Sequence, residues 1–310
     1  MIHHNLPWTE SPFFEAELAA AELSEEEKHK AKYFAENGYL IFDSKVDDTV
    51  LEEAKKGLAP RYIAASQADP SNRELSYKLQ DEWRVNENVK MIAAAPAIMD
   101  TLRLLYRRRP IPFQTLSFSA GSQQDTHSDM IHFSSVPERF MCGVWVALED
   151  ITEEMGPLHY YPGSNKLPFY SLTEMGVPAS RSRKSKNHYM DYEDYYILFI
   201  KEVIKNLGLQ KKQLTIKKGQ AMVWAANLLH GGEAITRPGA TRHSQVTHYY
   251  FEGCTYYTPL FTDFVLKEIF LRYITDISTG ERIENNYLGK TVKEETKKDL
   301  LKRLLSFTKK

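Results

Sequence analysis

From residue 113 to residue 253 the chain is a succession of short strand-like runs separated by turn residues. "FQTLSFSAG", "QDTHSDMIHF", "FMCGVWVALED", "GPLHYYPGS", "QLTIKKGQAMVWAAN" and "RHSQVTHYYFEG" are rich in β-branched and aromatic residues, with Gly, Pro, Asn or Asp nearby. Such side chains suit a pleated, half-buried surface, and the punctuating residues suit tight turns. Many short strands in this rhythm predict a mainly β fold, a barrel or two-sheet jelly roll (double-stranded β-helix) that leaves few free edges.

The flanks read as helix. "LSEEEKHKAKYFAENGYLIFDS" offers Ser24 as a cap and Glu27 as its reciprocal partner, with Gly38 as the stop and "YLIF" (39–42) as a strand. "VDDTVLEEAKKGLA" predicts a second helix, and "NVKMIAAAPAIMDTLRLLYR" one or two more, broken near Pro96. The expected layout is one domain over 1–310: a mainly helical part (1–109), a jelly-roll core (110–253) interrupted by an insertion (169–209), and a helical tail (254–310). The insertion carries a basic run, "RSRKSKNH" (181–188), and then Tyr192, Tyr195, Tyr196 and Phe199, whose helical spacing predicts core packing. The basic run is expected to be poorly ordered until substrate arrives, and it would suit an anionic substrate.

Composition narrows the function classes. A net charge of −1 gives no general attraction to nucleic acid or an anionic membrane. Two cysteines exclude a disulfide framework and a Cys-rich zinc site. No run is long and apolar enough to span a bilayer, and the N-terminus lacks a signal-peptide pattern, so a soluble, cytoplasmic protein is expected.

Within "QQDTHSDMIHFSS", His127 and Asp129 stand two apart. On a strand they would project to one face, and an apolar core has no use for that pair unless both are satisfied. A metal would use both. Asp125 stands two before His127 and could in principle replace Asp129, but the order of the motif disfavours it. His230, before a Gly-Gly turn, is the candidate third ligand. Two His and one carboxylate leave three open positions on an octahedral ion, which suits Fe(II) that binds a cosubstrate and O₂ together. Arg242 is placed on the inner face of the strand "RHSQVTHYYF", where a guanidinium needs an anionic partner such as a dicarboxylic cosubstrate. Arg237 beside Pro238-Gly239 is expected in solvent. His132, His159, His243 and His248 are expected to be hydrogen-bonded, exposed or substrate-facing rather than ligands, and Trp145 and Trp224 are expected in core packing.

At this point the chain resembles the phytanoyl-CoA dioxygenase family of iron- and 2-oxoglutarate-dependent oxygenases, over roughly 23–253. The resemblance rests on the opening helix and strand, the H-x-D of "THSD", then "VWVALEDITEEMGPLHYYPGSNK", "HGG" and the Arg-led strand, in that order. It implies His127, Asp129 and His230 as iron ligands, Arg242 as the partner of the distal carboxylate of 2-oxoglutarate, and Gln114 at the keto-acid end. It implies hydroxylation of a small-molecule C–H bond, with O₂ as the second cosubstrate and release of succinate and CO₂. An Asp at the carboxylate position argues against halogenation. Two positions depart from the family pattern: Asn165 stands where His is common after "PGS", and Gly232 where Ser is common. The rival readings are a cupin-like metal hydrolase or isomerase that does not use 2-oxoglutarate, and a degenerate member that only binds a ligand.

Overall fold

In the computed structural model, residues 5–179 and 190–293 are described. The N-terminal part forms α1 (Phe14–Ala19), α2 (Glu25–Asn37), β1 (Tyr39–Asp43), α3 (Asp48–Ala68), β2 (Lys78–Gln80), α4 (Glu87–Ala93) and α5 (Pro96–Tyr106). The capping box at the start of α2 is present: the Ser24 hydroxyl accepts from the Glu27 N–H, and the Glu27 carboxylate accepts from the Ser24 N–H. Gly38 closes α2 at φ 77°, a left-handed conformation that glycine adopts without side-chain strain. α3 runs on through Pro60, beyond the expected stop, because Leu58 and Tyr62 on either side of it are buried against Leu79 and Val89.

The following strands are β3 (Pro110–Phe118), β4 (Ser134–Val136), β5 (Met141–Ala147), β6 (Leu158–Tyr160), β7 (Lys212–Gln213), β8 (Gln220–Ala225), β9 (His230–Gly232), β10 (Ser244–Phe251) and β11 (Thr255–Tyr257). Between β6 and β7 lie a π-helical turn (Tyr192–Ile197) and α6 (Leu198–Leu207). The large sheet has the order β1-β8-β5-β10-β3-β2, with antiparallel neighbours. A small sheet, β7-β6-β9, completes the jelly roll.

Strand periodicity sorts the core. Val144 and Val146 of β5 and Ala221, Val223 and Ala225 of β8 pack with Leu51, Ile92, Ile98 and Leu102 of the helices. Trp145, Met222 and Trp224, one residue out of phase, pack with Leu158 and Tyr160 of the small sheet. Each fully buried Leu, Ile or Val contributes about 1.5–3 kcal/mol, so the helices hold the large sheet rigid from outside. Its inner face is left for chemistry.

The helix expected from 254 onward is not found over 254–293. That stretch forms β11, a 3-10 turn (Pro259–Phe261) and the hairpins β12–β13 (Ile274–Thr275, Arg282–Ile283) and β14–β15 (Asn286–Tyr287, Lys290–Thr291). Its Thr, Tyr, Pro, Asn and Gly content favours strand and turn over helix. Residues 294–310 and the basic run 181–188 lie outside the described residues. Among the described residues, no helix is long and apolar enough to cross a membrane.

Candidate metal centre

The H-x-D segment is not the strand its alternation predicts. His127 and His230 exchange backbone hydrogen bonds (2.9 and 3.0 Å), which forms an isolated bridge at the end of β9. Ser128 is extended, and its hydroxyl accepts the Met130 N–H at 3.2 Å to cap a 3-10 turn over Asp129–Ile131. The turn wins because a capping Ser before Asp satisfies N–H groups that a strand would have to pair across the sheet. The two side chains converge all the same. His127 Nε2 lies 3.7 Å and His230 Nε2 3.8 Å from the same oxygen, Asp129 Oδ1. One donor atom from each of the three residues lies within 4.8 Å of the others, and all three residues are buried.

Neighbouring groups aim these donors. His127 Nδ1 stands 2.8 Å from the Asp125 carbonyl, and His230 Nδ1 3.0 Å from the Leu228 carbonyl. A carbonyl only accepts, so each Nδ1 carries the proton and each Nε2 presents its lone pair. Trp224 Nε1 donates to Asp129 Oδ2 at 2.8 Å, which leaves Oδ1 facing the histidines. Fixed tautomers and a tethered carboxylate are what a transition-metal site requires of its surroundings, so the donor set fits a divalent ion. Asp125 is no rival for Asp129: its carboxylate pairs with Lys201 at 2.8 Å on the surface.

Burial by itself would raise the Asp129 carboxyl. The fields of His230, His248 and His127, with a contact from His127, outweigh it and hold the group well below the usual carboxylate range. Burial pushes the His230 imidazole down to about 4 and that of His132 to about 3. Asp129 and His230 are thus in the protonation state that binds a cation at neutral pH.

Arg242 lies just before β10 rather than in it, although its N–H still donates to the Ser119 carbonyl at 2.9 Å. Its side chain is wholly buried, near the Phe118 and Trp145 rings. Nη1 donates to the Gly156 carbonyl at 2.9 Å, while Nε has no partner. Burial lowers its pKa to about 10, so it remains a cation at neutral pH. Arg237 is half-exposed and faces Glu154. Gln114, on β3, holds His248 Nδ1 at 3.1 Å through Oε1, and His248 Nε2 reaches to 3.7 Å from Asp129 Oδ2.

The two family departures have local causes. A Cβ on Gly232 would come within 2.8 Å of the Gln123 nitrogen and 2.9 Å of the Ser122 hydroxyl oxygen, so no side chain fits there. Asn165 is buried, and its side chain fills the space above Gly38.

Three residues near the site were not assigned to it by the sequence. Trp224 is core, as expected, yet it also tethers Asp129. Tyr196 is core too, but its hydroxyl accepts the Ser128 N–H at 3.1 Å, between His127 and Asp129. Arg272 belongs to the stretch expected to be helical. Helical spacing hid the second, and the wrong element type hid the third.

A family model described as "Phytanoyl-CoA dioxygenase (PhyH)" matches residues 34–244. That is more than half of the chain, which belongs to this family. No curated protein matches the chain significantly in sequence. Solved structures of similar fold include the non-heme alpha ketoglutarate dependent epimerase SnoN from nogalamycin biosynthesis, at 16% identity and TM-score 0.53, covering 77% of this chain and 88% of that one. The carbocyclase SnoK from nogalamycin biosynthesis is 15% identical with TM-score 0.54, covering 76% and 87%. EctD from S. alaskensis with bound Fe is 19% identical with TM-score 0.54, covering 74% and 77%. At these identities the likeness is one of fold.

Proposed function

We propose that this member of the phytanoyl-CoA dioxygenase family is an Fe(II)- and 2-oxoglutarate-dependent oxygenase that hydroxylates a small molecule. His127, Asp129 and His230 hold the iron. Arg242 holds the distal carboxylate of 2-oxoglutarate, and Gln114 serves the keto-acid end. When bound, iron with 2-oxoglutarate supplies O₂ activation, with succinate and CO₂ as by-products and oxidation of a substrate C–H bond as the outcome.

The protein's own part is preorganisation. The Asp125 and Leu228 carbonyls keep both imidazoles in the Nδ1–H tautomer. Trp224 keeps one Asp129 oxygen from turning away. Arg242 waits as a buried cation with a free Nε–H donor, and among the described residues no carboxylate pairs with it. That unmet charge is the observation that carries the reading, since a hydrolase of this architecture has no need of one. Such a group is very costly unless an anion meets it, and a guanidinium pairs with a carboxylate through two charge-assisted bonds. Hydroxylation rather than epimerisation or ring closure is the simplest outcome, because it needs only a C–H bond near the metal. The test is succinate release from the Fe(II)-loaded protein. Release that depends on Fe(II), 2-oxoglutarate and O₂ is expected, and failure of the Fe(II)-loaded protein to bind 2-oxoglutarate would overturn the reading.

A further inference from the structure

We propose that Arg272 is an oxyanion-binding subsite beside the metal centre, so that the substrate carries a carboxylate or phosphate group. The proposal deepens the oxygenase reading and rests on it for the word substrate.

Arg272 sits in the stretch after β11 and is held from several sides. Its N–H donates to the Tyr256 carbonyl at 2.8 Å, and its carbonyl accepts from Asn285 Nδ2 at 3.0 Å. Nη1 donates to the Thr258 hydroxyl at 3.1 Å. The guanidinium carbon lies 4.6 Å from the centre of the Phe133 ring and 5.7 Å from that of Phe113. The side chain is therefore preorganised. Its charge is not met: Nε is buried without a partner, and among the described residues no carboxylate pairs with it. Aromatic faces attract a guanidinium but offer nothing for an in-plane N–H to donate to. A planar fork with one idle donor is the side of an arginine that takes an oxyanion.

The position ties the group to the chemistry. The Phe133 ring that carries Arg272 stands 4.8 Å from the His248 ring, and His248 Nε2 is 3.7 Å from Asp129 Oδ2. Asp129 cannot serve as the missing anion, because Trp224 takes one of its oxygens and the two histidines face the other. Arg242 lies instead near Phe118, Trp145 and Gly156. The two unpaired guanidiniums thus have separate surroundings, one for each of two anions. An anion on Arg272 is separated from the metal ligands by the Phe133–His248 pair. The oxidised carbon is then several bonds from the anionic group rather than next to it.

The test is thermal unfolding of the full metal-free chain with inorganic phosphate or acetate, against chloride at matched ionic strength. Arg242→Met, which removes the other unpaired guanidinium, should gain several degrees in Tm, and the double variant Arg242→Met/Arg272→Met, which keeps the stem over Phe133, should gain none. In the Arg242→Met background, Thr258→Val, which leaves the Arg272 guanidinium in place but unanchored, should need several-fold more anion for the same rise. A larger effect of phosphate would point to a phosphate ester, and a larger effect of acetate to a carboxylate. Equal protection of Arg242→Met and the double variant would overturn the proposal. So would loss of 2-oxoglutarate binding in Arg272→Met with retention in Arg242→Met, since Arg272 would then belong to the cosubstrate. If the Fe(II)-loaded wild type binds no 2-oxoglutarate while Arg272-dependent protection is present, the oxygenase reading fails and the anion site stands.

Discussion

The indole N–H of Trp224 donates to Asp129 Oδ2 at 2.8 Å across two adjoining elements of the jelly roll. The strand opposite makes this contact possible. Gly143 pairs with Trp224 in the β5–β8 ladder, and a Cβ on Gly143 would meet the indole at 2.3 Å. Glycine here is a packing requirement that keeps the ring where Asp129 needs it. Trp224→Phe should keep the fold and weaken divalent-metal binding by about 10- to 100-fold, the usual cost of losing a group that orients a ligand. Gly143→Ala should weaken binding too, by displacing the ring. Titration with Mn(II) or Fe(II) under anaerobic conditions measures both, and unchanged affinity in Trp224→Phe would show that Asp129 needs no tether.

Metal binding should also be visible as stability. The ligands exist as a set only in the folded chain, since His127, Asp129 and His230 are brought together by the His127–His230 bridge and the turn at Asp129. Metal at 100 times its dissociation constant should therefore add about 2.7 kcal/mol to the unfolding free energy. His127→Ala and His230→Ala should abolish the gain in Tm. A shift that survives in both variants would place the metal elsewhere.

Arg242 rather than Arg237 should control the cosubstrate. Arg242 is buried with an idle Nε–H, and Arg237 is half-exposed beside Glu154. Arg242→Ala should raise the KM for 2-oxoglutarate roughly 100-fold or more, since breaking a buried charge pair costs about 3 kcal/mol or more. Metal titration should be nearly unchanged. Arg237→Ala should alter neither measurement, and the reverse pattern would exchange the two assignments.

The parts of this site that the sequence made legible are those carried by local rules. The Ser24–Glu27 cap, the Gly38 stop and the alternation in β5 and β8 depend on near neighbours, and a residue type at a fixed spacing reports them. The convergence of His127, Asp129 and His230 was legible too, though by a different local route. Ser128 caps a turn, so Asp129 reaches the same point from a 3-10 turn and not from a strand. Arg272 was hidden because its role depends on contacts with Phe133, Tyr256, Thr258 and Asn285, which no short window contains. Tyr196 was hidden for the opposite reason. Its helical spacing with Phe199 correctly signals burial, and a spacing rule cannot report a hydroxyl at the end of a buried ring.

That hydroxyl links the insertion to the proposed metal ligands. The Tyr196 ring packs among Ile131, Ile197, Ile200 and Leu229, and its oxygen accepts the Ser128 N–H at 3.1 Å. Ser128 is the residue between His127 and Asp129, and its own hydroxyl donates to the Ala226 carbonyl at 3.0 Å. The π-helical turn over Tyr192–Ile197 sets the phase of the ring, and such turns often accompany functional sites. Tyr196→Phe keeps the packing and strands one buried N–H, a loss of about 1–3 kcal/mol. The unpaired amide frees the backbone between two ligands, so metal affinity should fall roughly tenfold, towards the low end of the effects of residues that orient ligands. Tyr195→Phe, at a position that is 39% exposed, serves as the control and should change neither stability nor affinity. Chemical denaturation together with anaerobic metal titration separates the two effects. A stability loss without any change in metal affinity would make Tyr196 a packing residue alone, and the insertion would then have no hold on the H-x-D turn.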